Sequence, residues 1–227
     1  MVVRGRALSP WAERLLAWLS GLLIAVLMVA AWKTGWRGFF SHPARFLTAG
    51  ILAVYTAVAH QVTSGPSRGV RHAAESPWFH AGIQVVGLLM AVVPPLLESR
   101  GMWVLSGGDG LRYAGVVVLV VGTFFRLGPM LALGGRFSHF VAIQKDHPLE
   151  TGGFYARIRH PSYLGLLLQF AGVAVVFRSI VGMALVLFLL SLLVKRMDVE
   201  ERFMAEQFGD PYRTYMARTK RLIRGLY

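Results

Sequence analysis

The sequence predicts an all-α fold, a polytopic membrane helical bundle with about six transmembrane helices. The 227-residue chain is 55% hydrophobic with a mean hydropathy of +0.54, which is too apolar for a soluble domain of this size. Apolar runs of the roughly 20 residues that a spanning helix needs recur along the chain. Together these observations indicate an integral membrane protein.

Four of the apolar runs each predict one span. They cover residues 15–32, 46–62, 79–97 and 113–133. A fifth apolar region, 162–194, is too long for one span, and Arg178-Ser179 divides it into two helices of about 16 residues each. We therefore expect a polar C-terminal tail from about Lys195. The first run exceeds the roughly 7–15 residues of a signal-peptide core, so it is interpreted as an uncleaved anchor.

We attribute the net charge of +13 to cytoplasmic loops that face anionic lipid rather than to nucleic-acid binding. No basic–aromatic motif lies outside the apolar runs, which argues against nucleic-acid binding. With six spans both termini lie on one side, and seventeen of the 24 lysines and arginines fall on that side against six on the other. Because cytoplasmic loops are enriched in Lys and Arg, this bias predicts cytoplasmic termini and contact with membrane lipids. We place the chain in a bacterial inner membrane.

Thiol chemistry is excluded by composition. The chain has no cysteine, so it has no disulfide, no thiolate nucleophile and no Cys-based metal site. We predict no metal site, and the sequence leaves the oligomeric state open.

Two polar segments hold most of the chemically interesting side chains. One is the loop 134–161, and the other is the tail from Lys195. Both are cytoplasmic by the charge bias, and the helical hairpin between them brings their ends together, so we expect them to meet at one membrane face. Taken singly, Tyr155 and Tyr163 fit an interfacial aromatic belt, and Pro161 fits a helix start.

Several short motifs nevertheless occur in a characteristic order. They are His147-Pro148-Leu149, Gly153-Phe154-Tyr155, Arg159-His160-Pro161-Ser162-Tyr163-Leu164-Gly165, Glu200-Glu201, Phe208-Gly209, and Tyr212 with Tyr215. The set resembles the isoprenylcysteine carboxyl methyltransferase family of integral membrane methyltransferases, over roughly residues 115–225. A related C-terminal pattern occurs in phospholipid methyltransferases and membrane sterol reductases. We therefore divide the chain into an N-terminal region of three spans, 1–112, and a methyltransferase core, 113–227.

The resemblance implies S-adenosylmethionine as the methyl donor. Its cytosolic pocket would lie between the 134–161 loop and the C-terminal helix, without a Rossmann fold, and no G-x-G-x-x-G follows a strand-like segment here. The implied cofactor-binding residues are Gln144, His147, Pro148, Leu149, Glu150, Tyr155, His160, Pro161, Ser162, Tyr163 and Glu200. The link from Gln144 to His147 is shorter than in eukaryotic members of the family.

Physical chemistry agrees with these roles. Aromatic faces stabilise a sulfonium cation, and the carboxylate of Glu200 suits the ammonium group of the donor. Glu200 and Arg196 are the predicted catalytic residues, with Arg196 orienting the acceptor. Arg126, inside the fourth predicted span, is a functional-site candidate because an intramembrane arginine is costly. We expect Arg126, like Arg196, to bind the substrate, and the alternative is that it snorkels to the interface.

The predicted function is methyl transfer to a lipophilic small-molecule or lipid-modified acceptor, with a prenylcysteine carboxylate preferred. A phospholipid or a small thiol is an alternative acceptor. An NADPH-dependent membrane reductase would share the C-terminal pattern, but such enzymes are longer and have more spans. A non-catalytic membrane binding protein is disfavoured because the His–Pro–Tyr and Glu–Glu motifs are complete.

Overall fold

The computed structural model describes residues 10–63, 71–72, 77–133, 142–143 and 149–223. Helices make up nearly all of this part of the chain. In chain order they are α1 Pro10–Ala30, α2 Gly35–Phe40, α3 Pro43–Thr63, α4 Pro77–Ser99, α5 Asp109–Leu133, α6 Pro161–Val176, α7 Ile180–Phe208 and α8 Asp210–Arg218. The all-α membrane bundle predicted from the sequence is therefore confirmed.

All six predicted spans fall on helices of the structure. Among the described residues, three helices are long and apolar enough to cross a membrane: Ala81–Ser99, Asp109–Leu133 and Ile180–Phe208. Trp18–Ala30 and Pro161–Val176 are shorter apolar helices. Large apolar side chains are exposed along the outside of the bundle, as on a surface that faces lipid. The number of helices that cross the bilayer stays a prediction.

The last long helix is longer than the roughly 16 residues predicted from the sequence, because it does not end where the polar tail begins near Lys195. Helix α7 has 29 residues, from Ile180 to Phe208, so Lys195 lies in its interior. The residues after Lys195 include no glycine or proline until Gly209, whose φ of 62° ends the helix. At about 1.5 Å per residue α7 is about 44 Å long, which exceeds a hydrocarbon core of about 30 Å. Arg196 and Glu200 therefore stand on a rigid extension of a membrane helix.

Helices α5 and α6 pack with their backbones in direct contact. Gly115 and Gly122 on α5 face α6, and Gly165 and Gly172 on α6 face α5. A Cβ added to Gly165 would lie 2.3 Å from the backbone nitrogen of Arg126. Small residues permit this approach in membrane bundles, and it fixes the first turns of α6 beside the middle of α5.

Charged side chains hold the end of the bundle where α6 turns into α7. Glu98 Oε1 lies 2.5 Å from Arg112 Nη2 and 3.2 Å from Arg178 Nε. Arg112 also donates to the carbonyl of Val176, and Arg178 donates to that of Gly107. We call Glu98, Arg112 and Arg178 the distal clamp. It ties the end of α4 to the start of α5 and to the α6–α7 turn.

A single hydrophobic core runs through the bundle and includes side chains from both predicted regions of the chain. Its wholly buried members include Met28, Phe39, Leu119, Phe177 and Leu189. The N-terminal helices therefore pack directly against the helices that carry the motifs.

At the other end of the bundle, a short antiparallel strand pair joins two of the connections between helices. Arg71–His72 (β1) pairs with Ala142–Ile143 (β2) in antiparallel register, Arg71 opposite Ile143. Hydropathy did not indicate this pairing. It links the α3–α4 connection to the loop that precedes α6.

Candidate functional site

The segment that precedes α6 lies beside the chain that follows α8. Ile158 and Lys220 form a parallel β-bridge. The backbone nitrogen of Arg159 donates to the carbonyl of Lys220 at 2.7 Å, and that of His160 donates to the carbonyl of Arg221 at 3.0 Å. The predicted meeting of the loop before α6 with the C-terminal segment is thereby confirmed.

A buried carboxylate of α7 joins these two segments. Glu201 Oε1 accepts a hydrogen bond from Arg159 Nε at 2.7 Å, and its Oε2 accepts one from Arg221 Nη2 at 2.8 Å. Arg159 Nη1 also donates to the carbonyl of Thr219 at 2.6 Å. We call Glu201, Arg159 and Arg221 the proximal clamp. Charge-assisted hydrogen bonds of this kind are short and strong, so the clamp holds the site-bearing segment on α7.

His160 extends from the proximal clamp toward the neighbouring carboxylate. Its Nε2 lies 3.1 Å from Glu201 Oε1, within hydrogen-bonding distance. Its ring stacks on Tyr163, with centroids 5.2 Å apart and planes 6° from parallel. Tyr163 Oη in turn donates to Glu200 Oε2 at 2.6 Å. We call His160, Tyr163 and Glu200 the Glu200 cluster.

The two adjacent glutamates differ sharply in access. The side chain of Glu201 is 4% exposed, whereas that of Glu200 is 28% exposed. Glu200 Oε2 also lies 3.9 Å from His160 Nδ1. Of the two carboxylates, Glu200 is therefore the one that a ligand can reach, and Glu201 is committed to holding the structure.

Arg196 lies one helical turn before Glu200 and is buried. Its guanidinium carbon is 4.8 Å from the centroid of the Phe79 ring and 5.7 Å from that of Tyr163. Aromatic faces attract a cation in this geometry. Because Phe79 belongs to α4, the guanidinium lies between α4, α6 and α7, next to the Glu200 cluster.

Arg126 is directed into the protein rather than along its surface. Its Nη1 donates to Ser162 Oγ at 2.6 Å, and its Nε donates to Tyr55 Oη at 3.3 Å. The side chain is buried, which differs from the snorkelling alternative. Ser162 of α6 was predicted to bind the cofactor. In the structure its hydroxyl instead accepts a hydrogen bond from Arg126 of α5.

Tyr155 lies in a short 3₁₀ helix, Gly153–Ala156, near the Glu200 cluster. Burial raises the pKa of Tyr155, and the negative charge of Glu200 raises it further, so the two side chains are within electrostatic reach. Tyr215 Oη donates to the carbonyl of Tyr155 at 2.7 Å. Burial raises the pKa of Tyr215 to about 12, so its hydroxyl stays protonated and keeps this bond at physiological pH.

Most of these side chains belong to one stretch of the chain. Residues 115–206 match the model of the isoprenylcysteine carboxyl methyltransferase family. This stretch is similar to that family. The protein-S-isoprenylcysteine O-methyltransferase of Schizosaccharomyces pombe is 37% identical over 100 residues, 43% of this chain and 42% of the relative. A probable enzyme of the same name from Oryza sativa subsp. indica is 32% identical over 121 residues, 52% of this chain and 60% of the relative.

The family resemblance predicted from the motifs is confirmed, and a solved structure extends the likeness of fold. The chain spans about half the length of the curated relatives it matches. A structure of the eukaryotic intramembrane Ras methyltransferase, an isoprenylcysteine carboxyl methyltransferase, has a TM-score of 0.57 at 17% identity. It covers 95% of this chain and 86% of that chain, and at this identity the likeness concerns the fold alone. The shared fold therefore includes helices outside the family stretch.

The structure brings the predicted residues together to different degrees. His160, Tyr163 and Glu200 are in contact, and Pro161 begins α6 directly beside them. Leu149 is half-buried and Glu150 is exposed. Glu150 Oε1 accepts from the backbone nitrogen of Gly152 at 3.0 Å, so it shapes its own turn.

Three predicted cofactor residues, Gln144, His147 and Pro148, lie outside the described residues. Their assignment to the loop that flanks the cofactor stays a prediction.

Sequence reasoning missed the residues that support the site. Arg159 and Glu201 stand inside a recognised motif, and two adjacent carboxylates near lipid signal that one of them needs a partner. No comparable signal connects Arg221 to Glu201 or Tyr55 to Arg126, and the second pair is 71 residues apart in sequence. Only folding brings these partners together.

Proposed function

We propose that this chain is an integral membrane methyltransferase that uses S-adenosylmethionine to methylate a lipophilic carboxylate, with prenylcysteine as the acceptor. The Glu200 cluster carries the proposal, because it combines a reachable carboxylate with stacked aromatic rings inside the family stretch. The names of the relatives support the acceptor class.

The side chains present fit the chemistry of the donor. Glu200 is partly exposed and carries a negative charge that suits the donor's ammonium group. The rings of His160, Tyr163 and Tyr155 offer aromatic faces to a sulfonium. When bound, S-adenosylmethionine supplies a methyl group on sulfur, which the acceptor carboxylate takes by in-line displacement, giving a methyl ester and S-adenosylhomocysteine.

The residues of this chain act mainly by positioning. The proximal clamp holds His160, and His160 and Tyr163 hold Glu200 in place for the donor. Arg196 provides a positive charge beside this cluster, where it orients the acceptor carboxylate. An ionised carboxylate needs no general base, so correct alignment of donor and acceptor supplies most of the rate enhancement.

The remaining assignments follow from the same proposal. Residues 113–227 form the methyl-transfer core, and the loop containing Leu149 and Glu150 flanks the donor. Both termini face the cytoplasm, which puts the Glu200 cluster on the side where a cytosolic donor is available. A reporter active only outside the cytoplasm, fused after Tyr227, should be silent, and an active fusion would contradict this orientation. The assignment to a bacterial inner membrane also stays a prediction.

Purified protein in lipid nanodiscs tests the proposal directly. Binding of S-adenosylmethionine and of S-adenosylhomocysteine is measured by calorimetry, and methylation of N-acetyl-S-farnesylcysteine is measured with a labelled methyl donor. Glu200→Gln and His160→Ala should weaken donor binding while the protein elutes as a folded species. Glu206→Gln, at an exposed position farther along α7, is the matched control and should bind like the wild type.

The same experiment separates the alternatives. A phospholipid or a small thiol that is methylated in place of the carboxylate would correct the acceptor. Binding of NADPH without S-adenosylmethionine would favour a reductase. Donor binding with no acceptor modified would favour a non-catalytic binding protein. Unchanged donor affinity in both site variants would overturn the assignment of the Glu200 cluster.

A further inference from the structure

An apolar groove runs along the lipid-facing side of α3 and α5. It encloses about 370 Å³, and Phe46, Gly50, Val54 and Tyr55 of α3 and Leu127 of α5 line it. Phe46 and Tyr55 are nine helical steps apart, about 14 Å at the helical rise. Phe46 and Val54 are exposed, so the groove opens sideways toward the hydrocarbon core. Its length and apolar lining suit one extended hydrocarbon chain.

One end of the apolar groove, at Tyr55, lies next to the buried guanidinium of Arg126. Tyr55, at that end, accepts a hydrogen bond from Arg126 Nε at 3.3 Å. Arg126 Nη1 reaches Ser162 Oγ at 2.6 Å, and Ser162 is two residues after His160. A charged group buried among membrane helices usually marks a functional path. The hydrogen bonds of Arg126 thus connect Tyr55, at the end of the groove, to the first turn of α6 beside the proposed active site.

Gly50 has no packing role that explains it. A Cβ added at Gly50 meets no atom within 4 Å, whereas one added at Gly21 of α1 would lie 2.3 Å from the carbonyl oxygen of Ala53. Glycine inside a helix lowers its stability, and close contact is the usual structural reason for tolerating it. At Gly50 the consequence is open space in the middle of the groove.

We infer that the groove between α3 and α5 receives the apolar tail of the methyl acceptor, and that Gly50 sets the length of tail that fits. The inference rests on the proposed function, which it extends to the specificity for the tail. It also gives a role to α3, which lies outside the stretch of residues 115–206 that matches the family. Arg126 then marks the boundary between the tail and the reacting head group.

The first test compares acceptors of increasing tail length. N-acetylcysteine carrying S-geranyl, S-farnesyl or S-geranylgeranyl groups is assayed with wild type and with Gly50→Leu. Gly50→Leu should raise KM for the two longer acceptors by tenfold or more, with KM for the geranyl acceptor and the affinity for S-adenosylmethionine within twofold of wild type. Gly110→Leu is the control, because a Cβ there also meets nothing within 4 Å and the position lies at the far end of α5. Equal KM changes for all three tails, or none, would overturn the inference.

The second test does not depend on methylation. An S-farnesylcysteine analogue with a photoreactive diazirine in its tail is irradiated with the protein in nanodiscs, and labelled peptides are identified. Labelling within residues 46–55 that Gly50→Leu abolishes supports the groove. Labelling near Phe79 and Arg196 instead, or equal labelling of residues 46–55 by a diazirine phospholipid, would overturn it. If residues 46–55 are labelled but S-adenosylmethionine does not bind, the proposed function is contradicted, whereas the binding of the tail in the groove is supported.

Discussion

The two ends of the bundle each contain a buried glutamate paired with two arginines, but the two clusters differ in what they position. At one end Glu201 is held by Arg159 and Arg221, and at the other end Glu98 is held by Arg112 and Arg178. Each clamp has one carboxylate and two arginines, and the glutamate side chains are 4% and 2% exposed. By their charges alone the two sites would look alike.

Their surroundings differ. The bonds to backbone carbonyls are not the difference, because both clamps make them: Arg112 and Arg178 at the distal end, and Arg159 at the proximal end. The proximal clamp has His160 on its carboxylate and the partly exposed Glu200 next in sequence. A buried ion pair is therefore weak grounds for assigning a functional site. What distinguishes the proximal end is the reachable carboxylate and stacked rings that the clamp positions.

Loss of either clamp glutamate should produce the largest effect on stability. Glu98→Ala removes the carboxylate that Arg112 and Arg178 share. Glu201→Ala removes that of Arg159, whereas Arg221 keeps Asp198 Oδ1 at 2.7 Å. Breaking a buried pair of this kind costs about 3–5 kcal/mol. Thermal unfolding in detergent should show a comparable drop for both variants, with Glu206→Ala near wild type.

Donor affinity should then separate the two clamps. The folded fraction of Glu98→Ala should bind S-adenosylmethionine normally, and that of Glu201→Ala should bind it weakly because His160 loses its anchor. Normal donor binding by Glu201→Ala would show that the proximal clamp, like the distal clamp, supports only the fold.

Removal of Arg196 should give the next largest effect, on turnover. Losing one positioned donor to a developing or reacting charge typically costs about 10²–10³-fold in rate. Arg196→Ala should show this loss with donor affinity nearly intact. Arg196→Lys should recover little, because an ammonium does not reproduce the planar guanidinium.

The control is Arg202→Ala, at an exposed position on the same helix. If donor affinity falls in step with turnover in Arg196→Ala, then Arg196 supports the cofactor site and has no acceptor role.

Tyr163→Phe should have a smaller effect, confined to the proximal end. It removes the hydrogen bond to Glu200, and bonds to charged groups contribute about 1.5–3 kcal/mol. Donor affinity should fall because Glu200 is no longer held in place, and stability should fall by no more than this bond contributes. Tyr113→Phe, an exposed tyrosine on α5, is the control and should leave donor affinity unchanged. A large loss of stability in Tyr163→Phe would mean that the Glu200 cluster is structural, like the distal clamp.

Tyr215→Phe should give the smallest change, about 1 kcal/mol at neutral pH, from the lost bond to the Tyr155 carbonyl. The pKa of Tyr215 is raised to about 12 by burial, above the ordinary value near 10. Its contribution is therefore fully present below pH 10 and is lost as the pH rises through about 12. Unfolding measured from pH 8 to 12 should show a shallower alkaline decline in the variant. An alkaline decline identical to that of the wild type would show that Tyr215 does not titrate in this way.

Much of the fold was accessible from the sequence. A lipid environment forces backbone groups to bond within a helix, so the apolar runs locate helices without knowledge of their neighbours. The end of α7 escaped this reasoning because the polar residues after Lys195 continue the helix beyond the apolar run. The motifs also located His160, Tyr163 and Glu200, and the family match confirms the resemblance on which their assignment rests.

The roles of individual polar side chains were decided by packing. Glu200 and Glu201 are adjacent and chemically equal, and they point in directions about 100° apart around α7. The chain after α8 brings Arg221 to one of them and leaves the other within reach of a ligand.

By itself, the sequence determined the membrane helices, the family motifs and the side chains available for chemistry. These depend on local hydrophobicity and on residues close together along the chain. The tertiary structure alone decided that Glu201 is a clamp, that Arg126 joins Tyr55 to Ser162, and that α3 and α5 leave a groove. Each of these features depends on partners from distant segments, and only the packing of the helices decides which of them meet.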